Sequence, residues 1–286
     1  MRRGLGLALL MLFAWTFPAA AQLLCSESAV SMSFGNYTGT ALPGVTQVTV
    51  NCLVLTGYKV GLNAGTGTGG TVTTRKMTGP GGATLSYKMF QNSARTANWG
   101  NTPGVDTVSG TGSSSPQPIS VYGQITAGQS IAPGSYTDTV TATTNGLFTT
   151  VTATFTVTAV VPASCTISAS ALNFGNYSGS LIDASSAVTV NCTNLTVFNI
   201  GLSAGTSSGA TVTTRKMTSP ALGKLNYTLF RDSPRTQNWG NTVGIDTLVS
   251  QGNGTAVQYS VFGRLPAGQF VTSATYTDTI TATVTY

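Results

Sequence analysis

The chain carries the same domain sequence twice, at a constant offset of 140 residues. Cys165 lies 140 positions after Cys25, and Tyr276 lies 140 positions after Tyr136, without a net insertion between the copies. Each half is long enough for one ordinary domain. The repeat therefore predicts two domains of one fold, and the differences between the copies indicate where their roles diverge.

The composition favours strands over helices. Charged residues make up only 7% of the chain, threonine, serine, glycine and valine dominate, and no stretch has sustained helical periodicity. Short strand-like runs alternate with glycine- and serine-rich turns, which is typical of an all-β sandwich. In the first copy these runs are 29–37, 46–52, 58–62, 71–77, 85–90, 118–125 and 136–143.

The N-terminus has the layout of a secretory signal peptide. Arg2 and Arg3 precede an apolar run over 5–17, and three alanines follow at 19–21. A membrane anchor is less favoured, because the apolar run is short for a bilayer. We expect residues 1–21 to be removed on export, which leaves Gln22 as the first residue of the mature chain.

Each copy contains one pair of cysteines, and the spacing within the pair is the same in both copies. An exported chain is expected to form disulfides. Equal spacing favours Cys25 with Cys52 and Cys165 with Cys192, although pairing between the copies stays formally open.

The residue inventory argues against catalysis, metal binding and nucleic-acid binding. The chain has no histidine, which excludes histidine-based triads and histidine metal sites, and we expect no cofactor. The net charge of +6 is spread thinly, whereas nucleic-acid binding needs clustered basic residues. Asp106 and Asp138 could be imagined as the carboxylate pair of a glycoside hydrolase. Their recurrence in the second copy favours structural roles, so the sequence predicts that the protein is not an enzyme.

The first copy contains a segment that the second copy lacks. Residues 150–159 alternate threonine with apolar residues, as a half-buried strand requires. Asn145-Gly146, just before them, is a strong signal for a two-residue hairpin turn, which sets Val140 opposite Val151. The first domain, 22–161, would then contain its own last strand at 148–161. The inward side chains of that strand are predicted to be Val151, Ala153, Phe155, Val157 and Ala159.

The second domain, 162–286, is predicted to lack this last strand. The sequence ends with the counterpart of the first hairpin arm, whose inward side chains are Tyr276, Ile280, Ala282, Val284 and Tyr286. Five missing apolar side chains remove on the order of 10 kcal/mol, which is comparable with the stability of a whole domain. We therefore expect an apolar groove with an unpaired edge, which a strand from another chain has to fill.

Short motifs recur in both copies and together resemble a known family. The motifs are Phe34-Gly35-Asn36-Tyr37, Arg75-Lys76-Met77 and Trp99-Gly100, which return as Phe174-Gly175-Asn176-Tyr177, Arg215-Lys216-Met217 and Trp239-Gly240. They resemble the spore coat protein U domain, the pilin-like module of archaic (Csu-type) chaperone-usher pili. The resemblance implies an incomplete immunoglobulin-like fold that a periplasmic chaperone holds and an outer-membrane usher assembles. It also implies that the N-terminal donor strand of the next pilin subunit fills each open domain.

Two features predict a tip adhesin at the cell surface rather than a shaft subunit. Only residues 22–24 precede Cys25 in the predicted mature chain, so the chain is expected to accept a strand without donating one. An apolar cluster, here named the apolar end, is predicted around the disulfide and the hairpin turn of the first domain. Its members are Leu23, Leu24, Leu53, Val54, Leu55, Leu147 and Phe148. An exposed apolar cluster marks an interaction surface, here for an abiotic or host surface, with biofilm formation as the consequence.

Several alternatives remain at this point. The leucines of the apolar end could continue into the core, and Trp99 with polar loops could form a lectin-like carbohydrate site. The protein could instead be a structural component of a spore coat or an extracellular matrix. Arg75 and Arg215 are expected at solvated strand ends.

Overall fold

A computed structural model describes residues 24–286 and confirms the all-β prediction, with two immunoglobulin-like β-sandwich domains. The predicted signal peptide and Leu23 lie outside the described residues. No helix within 24–286 is both long and apolar enough to span a bilayer. The strands of the first domain are β1 (Cys25–Ala29), β2 (Met32–Asn36), β3 (Leu42–Cys52), β4 (Gly57–Leu62), β5 (Arg75–Thr78), β6 (Thr84–Phe90), β7 (Val108–Thr111), β8 (Gln117–Ile125), β9 (Gly134–Gly146) and β10 (Thr149–Val161).

The first domain is one curled sheet that forms both layers of its sandwich. The hydrogen-bonded order is β1-β3-β8-β6-β5-β9-β10-β2, and β4 pairs with both β7 and β9. Thr78 opposite Thr137 joins the two layers through β5 and β9. Side chains alternate inward and outward along each strand, and the inward ones form a single apolar core between the layers. Cys25 is bonded to Cys52 where β1 meets β3.

The run predicted as one strand at 29–37 contains all of β2 but only Ala29 of β1, and the two strands lie in different layers. β1 pairs antiparallel with β3, whereas β2 pairs parallel with β10, where Met32 lies opposite Val157. The chain crosses between the layers at Val30 and Ser31, where Thr46 donates its hydroxyl hydrogen bond to the Val30 carbonyl at 2.5 Å. The crossing places β2 beside β10, with the side chains of Met32 and Phe34 in the core.

The hairpin of β9 and β10 has a different turn from the predicted one. Gly146 pairs with Thr149, so Leu147 and Phe148 form the two-residue loop and Phe155 lies opposite Val140. The prediction of Val140 opposite Val151 was wrong, because Asn145 and Gly146 also pair with β4 and stay in the sheet. The residue opposite Val140 is four positions further along β10 than predicted. Because this shift is even, the same side chains of β10 face inward.

The inward face of β10 completes the core of the first domain. Phe155, Val157 and Ala159 are buried, and Val161 joins them at the end of the strand. Val151 and Ala153 are half-buried. The strand is held on both sides, by β9 along its whole length and by β2 at its C-terminal end.

The second domain repeats the architecture up to its final strands. Its five-stranded sheet has the order β11-β12-β17-β15-β14, its three-stranded sheet has the order β16-β13-β18, and Cys165 is bonded to Cys192. The strands are β11 (Cys165–Ala169), β12 (Ile182–Cys192), β13 (Val197–Leu202), β14 (Arg215–Thr218), β15 (Lys224–Phe230), β16 (Leu248–Gln251), β17 (Ala256–Leu265) and β18 (Ala282–Thr285).

The expectation of solvated arginines was wrong. Arg75 is fully buried, and its guanidinium donates hydrogen bonds of 2.7 to 3.0 Å to the carbonyls of Asn63, Val72, Leu62 and Trp99. Arg215 repeats this arrangement in the second domain. Burial lowers the pKa of Arg75 to about 10, so the group stays charged at neutral pH. A planar group with several donors can bind several backbone carbonyls at once, and this explains why the motif occurs in both copies.

Replacing Phe155 should destabilise the first domain without affecting the second. We expect Phe155→Ala to lower the free energy of unfolding by about 3–5 kcal/mol, because the substitution leaves a cavity between the layers. Hydrogen exchange with mass spectrometry measures the change separately for each domain.

The matched control is Thr154→Ala, the exposed neighbour on the same strand, which should change the stability by less than about 0.5 kcal/mol. Equal effects of the two substitutions would show that β10 does not contribute its side chains to the core.

Candidate functional sites

The second domain has an open groove where the first domain holds β10. Residues 171–178 form no strand, although their counterparts in the first domain include β2. Leu172, Phe174 and Tyr177 are only half-buried, whereas their counterparts Met32, Phe34 and Tyr37 are buried. Within residues 24–286, no strand lies beside this segment to pair with it.

The groove encloses a cavity of about 300 Å³ between the layers of the second domain. Its walls are mainly apolar and include Leu172, Phe174, Met217, Leu229, Val261 and Ile280. The corresponding space in the first domain is occupied by Phe155, Val157 and Ala159. An apolar cleft with an unpaired strand edge has the shape and chemistry to bind an extended polypeptide.

The predicted edge strand of the groove is only partly formed. Tyr276, Ile280 and Ala282 line the cavity, but only Ala282–Thr285 is a strand, paired with β13. Val284 packs against the core and Tyr286 is exposed, and neither lines the cavity. The counterpart strand β9 is longer because β10 pairs with it throughout. A strand with one neighbour missing loses half of its backbone hydrogen bonds.

The recurring carboxylates have structural partners. Asp138 accepts hydrogen bonds from the Tyr87 hydroxyl at 2.7 Å and from the Thr66 backbone N–H at 2.7 Å. Burial and the nearby Asp138 raise the pKa of Tyr87, which keeps its proton on the hydroxyl. The backbone of Gly65 passes so close that a Cβ there would overlap Asp138. This carboxylate anchors the loop at 63–67, a role that the sequence alone did not assign.

The same network in the second domain lines the groove. Asp278 accepts hydrogen bonds from the Tyr227 hydroxyl at 2.8 Å and from the Thr206 backbone N–H at 2.9 Å. Asp278 and Tyr227 both line the cavity. A strand bound there would face a preformed hydrogen-bonded pair, which disfavours an acidic side chain at that point of the strand.

The apolar end is an exposed surface of the first domain. β3 ends at Cys52, and Leu53, Val54 and Leu55 then form a turn instead of continuing into the core. Leu55 is 84% exposed and Phe148, at the turn of the β9–β10 hairpin, is 90% exposed. Both adopt left-handed backbone conformations, with φ of 65° and 62°, which are costly for side chains other than glycine.

Backbone contacts hold the segments of the apolar end together. The Leu53 N–H donates a hydrogen bond to the Leu24 carbonyl at 2.9 Å. Gly146 pairs with Tyr58 just after the leucine turn, which places the Leu147–Phe148 loop beside that turn. Leu24 is half-buried and Leu147 is exposed.

A third loop, which was not predicted from the sequence, also belongs to the apolar end. The Ser114 hydroxyl accepts a hydrogen bond of 2.9 Å from the Val54 N–H, and the Ser114 N–H donates one to the Cys52 carbonyl. The only sequence feature that marks this loop is the serine run at 113–115, and such a run is typical of any polar turn.

Trp99 is not available for stacking on a sugar. Its side chain is fully buried, and its indole N–H donates a hydrogen bond to the Val60 carbonyl at 2.9 Å. Trp239 has the same environment in the second domain, where it donates to the Ile200 carbonyl at 2.8 Å. The tryptophans brace the core, and a lectin-like site cannot use them.

A half-buried glutamate distinguishes the first domain from the second. Glu27 lies on β1 with one carboxylate oxygen 3.1 Å from the Thr144 N–H, while its other oxygen and the Thr144 hydroxyl have no partner among the described residues. The counterpart in the second copy is Ile167. Burial raises the pKa of the Glu27 carboxyl from 4.5 to about 7, although the hydrogen bond from the Thr144 backbone N–H opposes the shift.

The fold and these sites define the class of protein. It has two tandem immunoglobulin-like sandwiches, the first with a strand beside β9 and the second with an open groove at the same place. The sequence profile of the Spore Coat Protein U domain matches residues 11–143 and 151–283. The chain therefore belongs to the Spore Coat Protein U domain family, as its motifs predicted.

Comparisons with known proteins find relatives in sequence and in fold. Protein U of Myxococcus xanthus is 35% identical over 179 residues, which cover 57% of this chain and 94% of that protein. A solved chain of the chaperone–tip adhesion subunit pre-assembly complex from archaic chaperone-usher Csu pili of Acinetobacter baumannii has a similar fold. The TM-score is 0.52 at 16% identity, over 92% of this chain and 100% of that one.

The stability of the first domain should fall as the pH rises from about 5 to 8. The raised pKa means that Glu27 is protonated in the folded state below about pH 7, whereas the unfolded chain ionises above 4.5. Folding therefore retains a proton that the unfolded chain releases, and stability declines through this window. We expect a loss of about 1–2 kcal/mol, because solvent screens the partly exposed carboxylate.

Glu27→Gln should remove this dependence, since the chain has no histidine to titrate in the same range. Glu27→Ile, which installs the residue of the second copy, is the matched variant. Denaturant unfolding followed by hydrogen exchange measures the effect. A pH profile of the first domain that is the same in all three proteins would contradict this assignment.

Proposed function

We propose that this protein is a non-enzymatic tip adhesin subunit of a chaperone-usher pilus at the cell surface. The open groove of the second domain carries the proposal, because it repeats the site that β10 fills in the first domain. Family membership and the fold shared with a solved chaperone–tip adhesion subunit complex support a pilus role. The two disulfides are consistent with an extracellular location.

In this proposal the second domain joins the fibre by donor-strand complementation. A periplasmic chaperone covers the groove before assembly, an outer-membrane usher mediates the exchange, and the N-terminal strand of the next pilin subunit then replaces the chaperone. The first domain needs no donor, because β10 pairs with β9 and β2 within the same chain.

The first domain attaches to a surface through the apolar end. Its exposed side chains, Leu55 and Phe148 in particular, sit in backbone conformations that cost stability. The second copy has the polar Thr193-Asn194 and then Leu195 where the first has Leu53, Val54 and Leu55. Apolar side chains at the tip bind by removing apolar area from water, which suits abiotic plastics, apolar host surfaces and biofilm formation.

A structural coat role is the second candidate, favoured by membership of the Spore Coat Protein U domain family. In that role the groove would join copies of coat proteins instead of pilus subunits. Immunoelectron microscopy of producing cells separates the two, because a pilus role places the protein at fibre ends and a coat role spreads it over the envelope.

A peptide with the sequence of β10, Thr149–Val161, should bind the second domain of the full chain. We expect hydrogen exchange to slow at 171–178 and 276–281, because the peptide supplies the missing backbone partner and fills the cavity.

The control peptide carries Phe155→Asp and Val157→Asp, which place charges against an apolar wall and should abolish binding. Equal protection by both peptides, or by neither, would overturn the assignment of the groove as a strand acceptor.

Charge at the apolar end should prevent attachment without unfolding the protein. We expect Val54→Asp combined with Phe148→Asp to reduce attachment of assembled pili to polystyrene by about 100-fold or more, because two apolar side chains no longer leave water.

The matched control is Val45→Asp combined with Val105→Asp, two exposed valines of the same domain outside the cluster. It adds the same charge and should attach normally. Unchanged attachment of correctly folded Val54 and Phe148 variants would remove the proposed surface, and inhibition by soluble sugars would favour a lectin.

A further inference from the structure

Two large apolar side chains are exposed at one end of the second domain, where the first domain has small residues. Phe270 is fully exposed and replaces Ser130 of the first copy. Leu222 is 77% exposed and replaces Gly82. Compared with the first copy, these two residues add exposed apolar surface to the second domain and do not add to its core.

The backbone conformation at Leu222 shows that a leucine does not stabilise this turn. Gly82 has φ of 81°, in the left-handed region that glycine adopts freely, and Leu222 keeps this conformation with φ of 64°. A Cβ makes that region unfavourable. The second copy therefore keeps an unfavourable backbone conformation at Leu222, and the leucine side chain is exposed to water.

Phe270 and Leu222 lie at the same end of the domain, beside the groove. The Gln269 side chain, next to Phe270, is hydrogen-bonded to the backbone of Asn226 on β15, and Leu222 lies two residues before that strand. The Tyr276 hydroxyl donates a hydrogen bond of 3.0 Å to the Thr272 carbonyl, and Tyr276 lines the groove. This is the end at which the counterpart strand β10 terminates, because Val161 pairs with Gly134 at the start of β9.

The first domain shows what stands at this end once the groove is filled. β10 leads directly into the second domain, and Ser130 lines a cavity of about 440 Å³ together with Val161, Pro162 and Gly254. A Cβ on Gly254 would lie 2.8 Å from the Ser130 hydroxyl. The position equivalent to Phe270 thus contacts the domain that follows the inserted strand.

We propose that Phe270 and Leu222 form a docking knob for the pilin domain that follows the donor strand in the second-domain groove. This inference rests on the proposed function and extends it. The partner surface lies at the base of the next domain. In the junction within this chain, the small and polar Ser130 faces a mostly polar surface that includes Pro162, Thr193 and Gly254, so the larger apolar Phe270 calls for an apolar surface on its partner. Contacts at the knob would help to select which subunit follows this one, because the donor strand by itself contacts only the groove.

Photo-crosslinking in pili assembled by producing cells tests the proposal. One variant carries benzoylphenylalanine at position 270, which replaces one aromatic side chain by another. A second carries it at Thr279, an exposed position whose counterpart Thr139 lies opposite Thr156 of β10. The proposed function predicts an adduct from position 279 with the strand donor, and the docking knob predicts an adduct from position 270 with that same protein.

The outcomes separate the two proposals. An adduct from position 279 without one from position 270 overturns the docking knob and leaves the strand-acceptor function standing. An adduct from position 270 with a different protein also overturns the knob. No adduct from either position overturns both. The control is benzoylphenylalanine at Val105, an exposed position of the first domain, which should give no adduct with the donor.

Substitution measures how much the knob contributes. Phe270→Ser combined with Leu222→Gly restores the residues of the first copy, and we expect this variant to enter fibres about tenfold to a hundredfold less often. Its binding of the Thr149–Val161 peptide should be unchanged, because the groove is intact. Normal incorporation of the double variant would overturn the proposal.

Discussion

Both domains depend on a single interaction, the covering of the inner face between the two layers by one strand. In the first domain β10 provides that strand, and its pairing with β9 and β2 buries Phe155 and Val157. In the second domain the corresponding wall of apolar side chains is present, the edge strand is only partly formed, and the space beside it is open. The open edge and the half-buried Phe174 follow from that one difference.

The duplication separates structural residues from functional ones. Positions that recur with the same contacts, such as Arg75 with Arg215 and Asp138 with Asp278, hold loops and core in both domains. Surface positions whose side chains differ between the copies point to roles beyond the shared fold. The apolar end belongs to this second group except for Leu55, which recurs as Leu195, and so do Glu27 and Phe270. Their roles are attachment to a surface, response to pH and assembly.

In the proposed mechanism, one end of the first domain attaches to a surface and the other end joins the second domain. The Leu147–Phe148 loop begins β10 at the apolar end, and Val161 ends it where the second domain follows. One strand therefore connects the attachment surface to the junction. Force applied along the fibre would act on a strand that is hydrogen-bonded on both sides, which resists shear because many backbone bonds must break together.

The sequence by itself determined the repeat, the all-β fold, the family and the inward side chains of β10, because residue spacing and period-2 alternation depend only on local chemistry. It did not determine the turn at Leu147–Phe148, the crossing at Val30 or the burial of Arg75. Those features were decided by tertiary structure. A strand can pair on two sides at once, and pairing with β4 outweighs the local turn preference of Asn145-Gly146. The exposure of Phe270 and the contacts of Ser130 likewise exist only in three dimensions.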